Sequence, residues 1–302
     1  MKRPGFLRKG DRIRLIAPAG RICRDTVMPG VAALREYFDV VTGPHTLNEH
    51  FSFAGSDAER IADLQEALDD PDCNLILCMR GGYGLIRLLN RLNMRRFAAH
   101  PKWLAGFSDI TNLHALLQMH GFCSIHSAMP GFFLTDGQPN PSFYSLIKML
   151  TGDMSAAELH PPHNAANRFG AAIGRLVGGN LSIIYSLLAT PYSIDTAGNI
   201  LFIEDTAEHL YHIDRMMNAL KLAGKLDNPA AIVVGGFTEL KDSPSEFGYA
   251  LEEIVRNVVD DRKYPVCFDV PAGHISLNMP LMLGANYELT VRPADITLKP
   301  SL

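Results

Sequence analysis

Short apolar runs alternate with helical stripes of apolar residues through the first half of the chain. The runs predict buried strands at 11–17, 38–41, 73–79, 103–107 and 123–125. Helical spacing predicts helices behind the capping box Ser56–Glu59 and at 31–38, 85–92, 110–120 and 143–150. Strands that alternate with helices predict a parallel α/β sheet, which binds ligands at the carboxyl ends of its strands.

The second half of the chain begins after a change of composition at 151–168, where small residues, histidines and prolines replace the periodic pattern. We therefore predict a first domain at 1–150, a linker at 151–168 and a second domain at 169–302. Further strands are predicted at 173–176, 200–203, 230–237, 265–270 and 287–291, and helices at 181–188, 209–223 and 247–259. This pattern predicts a smaller mixed α/β domain with a barrel or a curled sheet.

Composition and charge narrow the functions that the chain can have. Its 302 residues, 47% of them hydrophobic, can fill two cores, and a net charge of −4 gives no reason to expect nucleic acid as a partner. No stretch approaches the length of a membrane span, and the apolar run near the N-terminus is interrupted by Arg14. Five cysteines without a C-x-x-C pair are typical of reduced thiols in the cytoplasm.

Ser108 follows the predicted strand 103–107 directly and precedes a helical pattern. A serine at such a sharp turn resembles a nucleophile elbow, where helix N–H groups can stabilise developing negative charge. Only the first glycine of the G-x-S-x-G motif is present, as Gly106, because residue 110 is isoleucine. The alternative is a serine that only caps the helix.

A glycine turn, Arg80-Gly81-Gly82-Tyr83-Gly84, follows the predicted strand 73–79. Its backbone could approach a ligand closely and donate an N–H to an oxyanion. The turn does not match a phosphate-binding loop, because no G-K-[ST] follows it and the G-x-G-x-x-G spacing is absent. The alternative is a tight connection that only requires positive φ angles.

A serine nucleophile needs a histidine base and an acid that orients the base. Two of the eleven histidines, His126 and His274, lie at strand ends beside small residues. The carboxylates at strand ends are Glu204, Asp205 and Asp269. The fold, and not the order along the chain, assembles such triads, so spacing leaves these alternatives open. No cluster of possible metal ligands is seen, and we expect neither a metal nor a cofactor.

Five motifs together resemble the LD-carboxypeptidase family of serine peptidases, which also contains the microcin C self-immunity proteins. They are RGGYG at 80–84, AGFSDIT at 105–111, GRLVGGNLS at 174–182, LFIED at 201–205 and PAGHISLNMPLMLG at 271–284. The resemblance extends from Asp11 to about Val291. It implies a flavodoxin- or amidotransferase-like first domain, a barrel-like second domain and a homodimer.

The family pattern places the nucleophile at Ser108, the acid at Glu204 and the base at His274. It also implies an oxyanion hole from backbone N–H groups at Gly82 and Asp109.

The reaction that the family implies is release of D-alanine from murein tetrapeptide during cell-wall recycling in the cytoplasm. Arg80, Gly81 and Tyr83 of the glycine turn are then candidates for substrate binding. Arg80 or Arg215 could pair with the substrate carboxylate.

Two other functions remain. Hydrolysis of a microcin C-type peptide adenylate would require an aromatic residue that stacks on adenine, whereas the single tryptophan, Trp103, lies on a predicted core strand. A catalytically silent ligand-binding module would have no chemical need for the serine, the glutamate and the histidine together.

Overall fold

The computed structural model describes residues 1–242 and 245–301, which form two compact units. The first unit comprises Met1–Ala156 and Met279–Leu281, and the second comprises Ala157–Asn278 and the residues from Met282 onward. The segment predicted as a linker is divided: residues 151–156 belong to the first unit and 157–168 to the second, where Leu159 and Arg168 form backbone bridges.

A parallel sheet covered by helices forms the first unit. Its strands are β1 (Arg12–Ile16), β2 (Asp39–Thr42), β3 (Leu75–Cys78), β4 (Trp103–Gly106) and β5 (Ser124–His126), with a small hairpin of β6 (Leu134–Thr135) and β7 (Gln138–Pro139). Its helices are α1 (Arg24–Arg35), α2 (Asp57–Asp69), α3 (Arg95–Ala99), α4 (Thr111–Met119) and α5 (Pro141–Thr151). The capping box predicted at Ser56 is present at the start of α2.

The register of the first sheet brings the ends of its central strands together. The order from β5 onward is β5-β4-β3-β1-β2, and all of these pairs are parallel. Leu77 pairs with Leu15 on one side and with Ala105 on the other, and Gly106 pairs with His126. The segments that follow β3 and β4 therefore begin at the same edge of the sheet.

The second unit contains a sheet of six strands that curls into a half-barrel. The strands are β8 (Gly170–Asn180), β9 (Ile200–Thr206), β10 (Ala231–Thr238), β11 (Val266–Cys267), β13 (Asn286–Arg292) and β14 (Asp295–Pro300). The helices are α6 (Leu181–Ser186), α7 (Leu210–Leu222) and α8 (Leu251–Val258). Strands β8 to β11 pair in parallel, whereas β13 pairs antiparallel with β8 and β14. A further strand, β12 (Leu281–Leu283), pairs with β5 at the edge of the first sheet.

The predicted fold class, a parallel α/β unit followed by a barrel-like unit, is confirmed, but several elements differ. The helix predicted at 85–92 is two 3₁₀ turns, Leu85–Arg87 and Leu89–Arg91. Leucines three residues apart can face the core in either helix type, so the apolar pattern could not distinguish them.

Two further differences arise from prolines. The first helix begins at Arg24, seven residues before its predicted start, and contains Pro29. Burial of Val27 and Val31 against the core outweighs the hydrogen bond that the proline removes. Strand β14 was not predicted, although buried residues alternate along it; Pro300 ends it, and prolines are tolerated on such an edge strand.

Within residues 1–242 and 245–301, every helix is too short or too polar to cross a membrane.

Candidate active site

Ser108 occupies a strained turn between β4 and α4. Its φ angle is +67°, a left-handed conformation that is uncommon for a residue with a side chain. Such strain is typical of functional sites. The 3₁₀ turn Ser108–Ile110 continues into α4, and neither helix start has a side-chain capping bond. The capping alternative for Ser108 is therefore wrong, and the predicted strand-to-helix turn is present.

The glycine turn lies directly against this serine. A Cβ atom at Gly81 would lie 2.7 Å from Cβ and 2.9 Å from Oγ of Ser108. The Gly81 carbonyl accepts a 2.8 Å hydrogen bond from the Gly20 N–H, which holds the turn from its other side. Gly82 has a φ angle of +101°, which is the positive φ expected if the glycines only form a tight connection. A tight connection alone would not explain the close approach of Gly81 to Ser108.

Gly81→Ala is expected to lower kcat by about 100-fold, because the new methyl group would displace either the serine or the turn by a few tenths of an ångström or more. Steady-state kinetics on the folded variant would measure the effect. Gly5→Ala is the matched control, since nothing lies within 4 Å of a Cβ atom at Gly5. Equal turnover in the two variants would contradict a role for this contact.

A histidine and a carboxylate form a buried pair in the second unit. Glu204 lies in β9 with its side chain fully buried, and 17% of the His274 side chain is exposed. Glu204 Oε2 lies 2.6 Å from His274 Nδ1 and also accepts the backbone N–H of His274 at 3.2 Å. A proton on Nδ1 that is donated to a carboxylate leaves Nε2 as the nitrogen that can act as a base.

Hydrogen bonds to the backbone of Gly273 and of His274 itself hold the loop that carries His274. The N–H of Gly273 donates to Asn278 Oδ1 at 2.9 Å, and Thr238 Oγ1 donates to the His274 carbonyl at 2.9 Å. Gly273 has a φ angle of +110°, and a Cβ atom there would lie 2.8 Å from Glu204 Oε2. Glycine is therefore required for the carboxylate and the histidine to meet.

Among the three carboxylates predicted at strand ends, Glu204 is the one that contacts His274. Asp205 instead accepts hydrogen bonds from Asn180 Nδ2 and from the Ser182 N–H, which tie β8 and α6 to β9. Burial and the neighbouring Glu204 raise the pKa of Asp205 to about 6. Asp269 is exposed and accepts a 2.8 Å hydrogen bond from Asn164.

The pKa of His274 differs from the ordinary value for histidine. Its burial lowers the pKa, but the hydrogen bond and the charge of Glu204 outweigh burial, so that the pKa is raised above its ordinary value. A general base acts in its neutral form, so activity should fall as the pH decreases through this raised pKa. We expect the acid limb of kcat/KM to have its midpoint above about 6.5, the ordinary value for histidine.

Glu204→Gln should move that midpoint to lower pH, because burial would then dominate the pKa of His274. Measuring kcat/KM against pH for both proteins tests the prediction. A midpoint that does not change in the variant would show that another group titrates.

Models of both domains of one protein family match most of this chain. The LD-carboxypeptidase N-terminal domain matches residues 13–127, and the LD-carboxypeptidase C-terminal domain matches residues 173–289. The chain belongs to the LD-carboxypeptidase family. The resemblance inferred from its motifs is thereby confirmed.

Individual relatives agree with this assignment. The chain is 35% identical over 288 residues to a probable murein peptide carboxypeptidase of Bacillus subtilis (strain 168), covering 94% of this chain and 90% of the relative. A solved muramoyltetrapeptide carboxypeptidase from Oxalobacter formigenes is similar with a TM-score of 0.85 and 27% identity, covering 96% and 99% of the two chains. MccF, solved with glutamyl sulfamoyl guanosine, is similar in fold with a TM-score of 0.86 and 22% identity, covering 99% and 98%.

The other candidate base, His126, lies within the core of this family's N-terminal domain. It is completely buried, and its ring centroid is 5.9 Å from that of Phe107. The neighbouring His114 bridges the Gly106 carbonyl and Ser124 Oγ, and burial lowers its pKa to about 3. These contacts are typical of histidines that pack beneath a sheet edge and have no exposed surface for a substrate.

The residues predicted to bind substrate are distributed over both units. Arg80 and Tyr83 are exposed on the glycine turn, where one guanidinium N–H of Arg80 donates to the Arg21 carbonyl at 2.5 Å. Arg215 lies on α7 in the second unit, 5.3 Å above the ring of Tyr211. No group of three potential ligands that could hold a metal ion is found within residues 1–242 and 245–301.

Two further histidine–carboxylate pairs that are joined by a short hydrogen bond were not predicted. His45 Nδ1 lies 2.6 Å from Asp63 Oδ1 in the first unit, and His212 Nδ1 lies 2.5 Å from Glu208 Oε2 in the second. The Glu208 pair could have been found from its spacing of four residues at a helix start. The sequence gives no signal for the pair of His45 and Asp63, because the two residues are eighteen positions apart along the chain.

Proposed function

We propose that this protein is a serine carboxypeptidase that hydrolyses the bond between an L-centre and the terminal D-alanine of murein tetrapeptide. The observation that carries the proposal is the combination of a strained serine, Ser108, with a buried pair in which Glu204 orients His274. The names of the relatives, a probable murein peptide carboxypeptidase and a muramoyltetrapeptide carboxypeptidase, support the substrate class.

Each residue has one role in the proposed mechanism. Ser108 Oγ attacks the scissile carbonyl, and His274 Nε2 takes the proton of the hydroxyl and passes it to the leaving amine of D-alanine. Glu204 stabilises the imidazolium that forms. Water then hydrolyses the acyl-enzyme in the same way and regenerates Ser108.

The negative charge of the tetrahedral intermediate requires donors that are already in place. The backbone N–H groups of Gly82 and Asp109 are the proposed oxyanion hole, which is supported by the contact of the glycine turn with Ser108. The proposal also assigns substrate contacts to Arg80, Gly81 and Tyr83, because they lie on the same turn. Either Arg80 or Arg215 is the proposed partner for the terminal carboxylate. We also propose that the enzyme works in the cytoplasm, which its five free thiols support. The family resemblance is the basis for proposing a homodimer.

The microcin-type reaction is the second candidate, and the position of the tryptophan disfavours it. Trp103 is completely buried, and its indole N–H donates to the Gly5 carbonyl at 2.9 Å. It is therefore not available to stack on an adenine ring.

Release of alanine from murein tetrapeptide, measured by chromatography of all the reaction products, tests the proposed function. The murein pentapeptide, a tetrapeptide that ends in L-alanine and aspartyl sulfamoyl adenosine serve as comparison substrates. We expect release from the tetrapeptide ending in D-alanine and little from the one ending in L-alanine. Cleavage of the sulfamoyl adenosine alone would favour the immunity reaction, and no cleavage of any of them would favour the silent binding module.

A further inference from the structure

The residues of the glycine turn have few conformational restrictions of their own, so they do not by themselves keep the turn in the conformation observed. Gly82 and Gly84 have φ angles of +101° and +134°, and Gly81 packs against Ser108. Glycine has the largest conformational freedom of all residues, so a turn of three glycines is costly to hold in one arrangement. An oxyanion hole nevertheless works only if its donors are in place before the charge develops. Some group in addition to the Gly20 N–H, which bonds the Gly81 carbonyl, must therefore fix the turn.

The side chain of Asp109 makes that connection. It is 1% exposed, and its Oδ2 accepts the Leu85 N–H, at the end of the glycine turn, at 2.9 Å. The neighbouring Gly84 backbone also helps to lower the pKa of the Asp109 carboxylate. Its other oxygen, Oδ1, accepts a 2.8 Å hydrogen bond from Asn112 Nδ2 on α4. Because Asp109 follows Ser108 directly, one carboxylate joins the elbow of the nucleophile to the glycine turn.

The positive charge of Arg60 stabilises the ionised form of Asp109. Burial raises its pKa to about 6, and the hydrogen bonds from Leu85 and Asn112 together with the positive charge of Arg60 act in the opposite direction. Arg60 is itself buried beneath the turn, where a Cβ atom at Gly84 would lie 2.6 Å from its Nη1. At neutral pH the carboxylate is therefore ionised and can accept hydrogen bonds at both oxygens.

We infer that the Asp109 carboxylate is a positioning residue that holds the glycine turn against Ser108 and thereby presets the Gly82 N–H for the oxyanion. The inference rests on the proposed function, in which the backbone of Asp109 has a role but its side chain has none. Asp109 does not itself act as an acid or base, since both of its oxygens accept bonds from neighbouring N–H groups and its side chain is enclosed. Its effect passes through the turn.

Asp109→Asn tests the inference with almost no change of shape. The new amide nitrogen would face either the Leu85 N–H, which is a donor, or the Asn112 amide. In the second case Asn112 must turn its amide over and lose its 2.9 Å bond to the Asp109 carbonyl, so at least one hydrogen bond is lost in either orientation. A fluorophosphonate provides a readout that does not depend on the natural substrate. It phosphonylates an activated serine with loss of fluoride, and its phosphoryl oxygen gains negative charge in the transition state, where an oxyanion hole can stabilise it. We expect Ser108 to be phosphonylated about 100-fold more slowly in the variant.

Asp70→Asn is the matched control. Asp70 is also a largely buried aspartate of the first unit, and its Oδ2 accepts a 2.6 Å hydrogen bond from Arg14 of β1. This variant loses an ion pair but should react with the fluorophosphonate at the wild-type rate. Melting temperatures of both variants show whether each is folded.

A second measurement separates positioning from a purely structural role. A tripeptide boronic acid, in which tetrahedral boron replaces the scissile carbonyl carbon, should lose affinity for Asp109→Asn by about the same factor as phosphonylation. A tetrapeptide with a reduced CH₂–NH bond forms no oxyanion and should bind as it does to the wild type. If Asp109→Asn does not fold, Asn112→Ala, which removes one donor to the carboxylate, should show a smaller loss of the same kind.

Phosphonylation of a folded Asp109→Asn variant at the wild-type rate would overturn the inference. Equal losses of affinity for the boronic acid and for the reduced peptide would also overturn it, because they would show general damage to the site. A wild-type protein that reacts with the fluorophosphonate but releases no D-alanine would instead refute the proposed substrate. The two failures are thus distinguishable.

Discussion

Ser108→Ala should lower kcat by about a million-fold and leave the fold intact, because removal of a triad serine eliminates the covalent pathway. The serine makes no capping bond, so its loss should have little effect on the free energy of unfolding. Turnover of murein tetrapeptide and thermal unfolding of the variant measure the two quantities.

A second serine supplies the opposite control. Ser56 caps α2, where its Oγ accepts the Glu59 N–H at 3.3 Å, and Glu59 Oε2 accepts the Ser56 N–H at 2.7 Å. Ser56→Ala should cost about 1 kcal/mol of stability and leave turnover unchanged. Near-normal turnover in Ser108→Ala would refute its assignment as the nucleophile.

His274→Ala should lower kcat by a similar factor, since a triad without its base loses nearly as much as one without its nucleophile. Glu204→Gln should cost less, about 10⁴-fold, because the histidine remains but is no longer held in the required tautomer. Single-turnover and steady-state rates on murein tetrapeptide measure both effects.

His212 offers a matched control for this prediction, because its Nδ1 also lies 2.5 Å from a carboxylate, that of Glu208, in the same unit. His212→Ala removes an equivalent pair and should retain its turnover. If His126→Ala abolished activity while His274→Ala spared it, the base would have to be reassigned to His126.

Local patterns predicted the elements of the fold that depend on near neighbours. The apolar runs at 73–79 and 103–107 became β3 and β4, whose residues are all buried, as expected for strands covered on both faces. The capping box at Ser56 is formed by residues three apart, so nothing distant was needed to predict it.

Elements governed by tertiary packing were predicted less well. The apolar pattern at 85–92 fits 3₁₀ turns as well as an α-helix. In the structure, the N–H of Leu85, the first residue of this segment, donates a hydrogen bond to the carboxylate of Asp109, 24 residues away. The first helix passes through Pro29 because its apolar face is buried against the core. In both cases contacts with remote segments overrode the local signal.

The sequence by itself determined the fold class, the family and the strand-to-helix turn at Ser108, because each depends on short motifs or on local periodicity. The tertiary structure decided which carboxylate meets which histidine. Seventy residues separate Glu204 from His274, and their 2.6 Å contact arises only because the loop after β11 returns over β9 at Gly273. The contact of Gly81 with Ser108 likewise depends on the parallel register of β3 and β4, which places the segments after both strands at one edge of the sheet. Such contacts are set by packing over long sequence separations, which the spacing of residues along the chain does not encode.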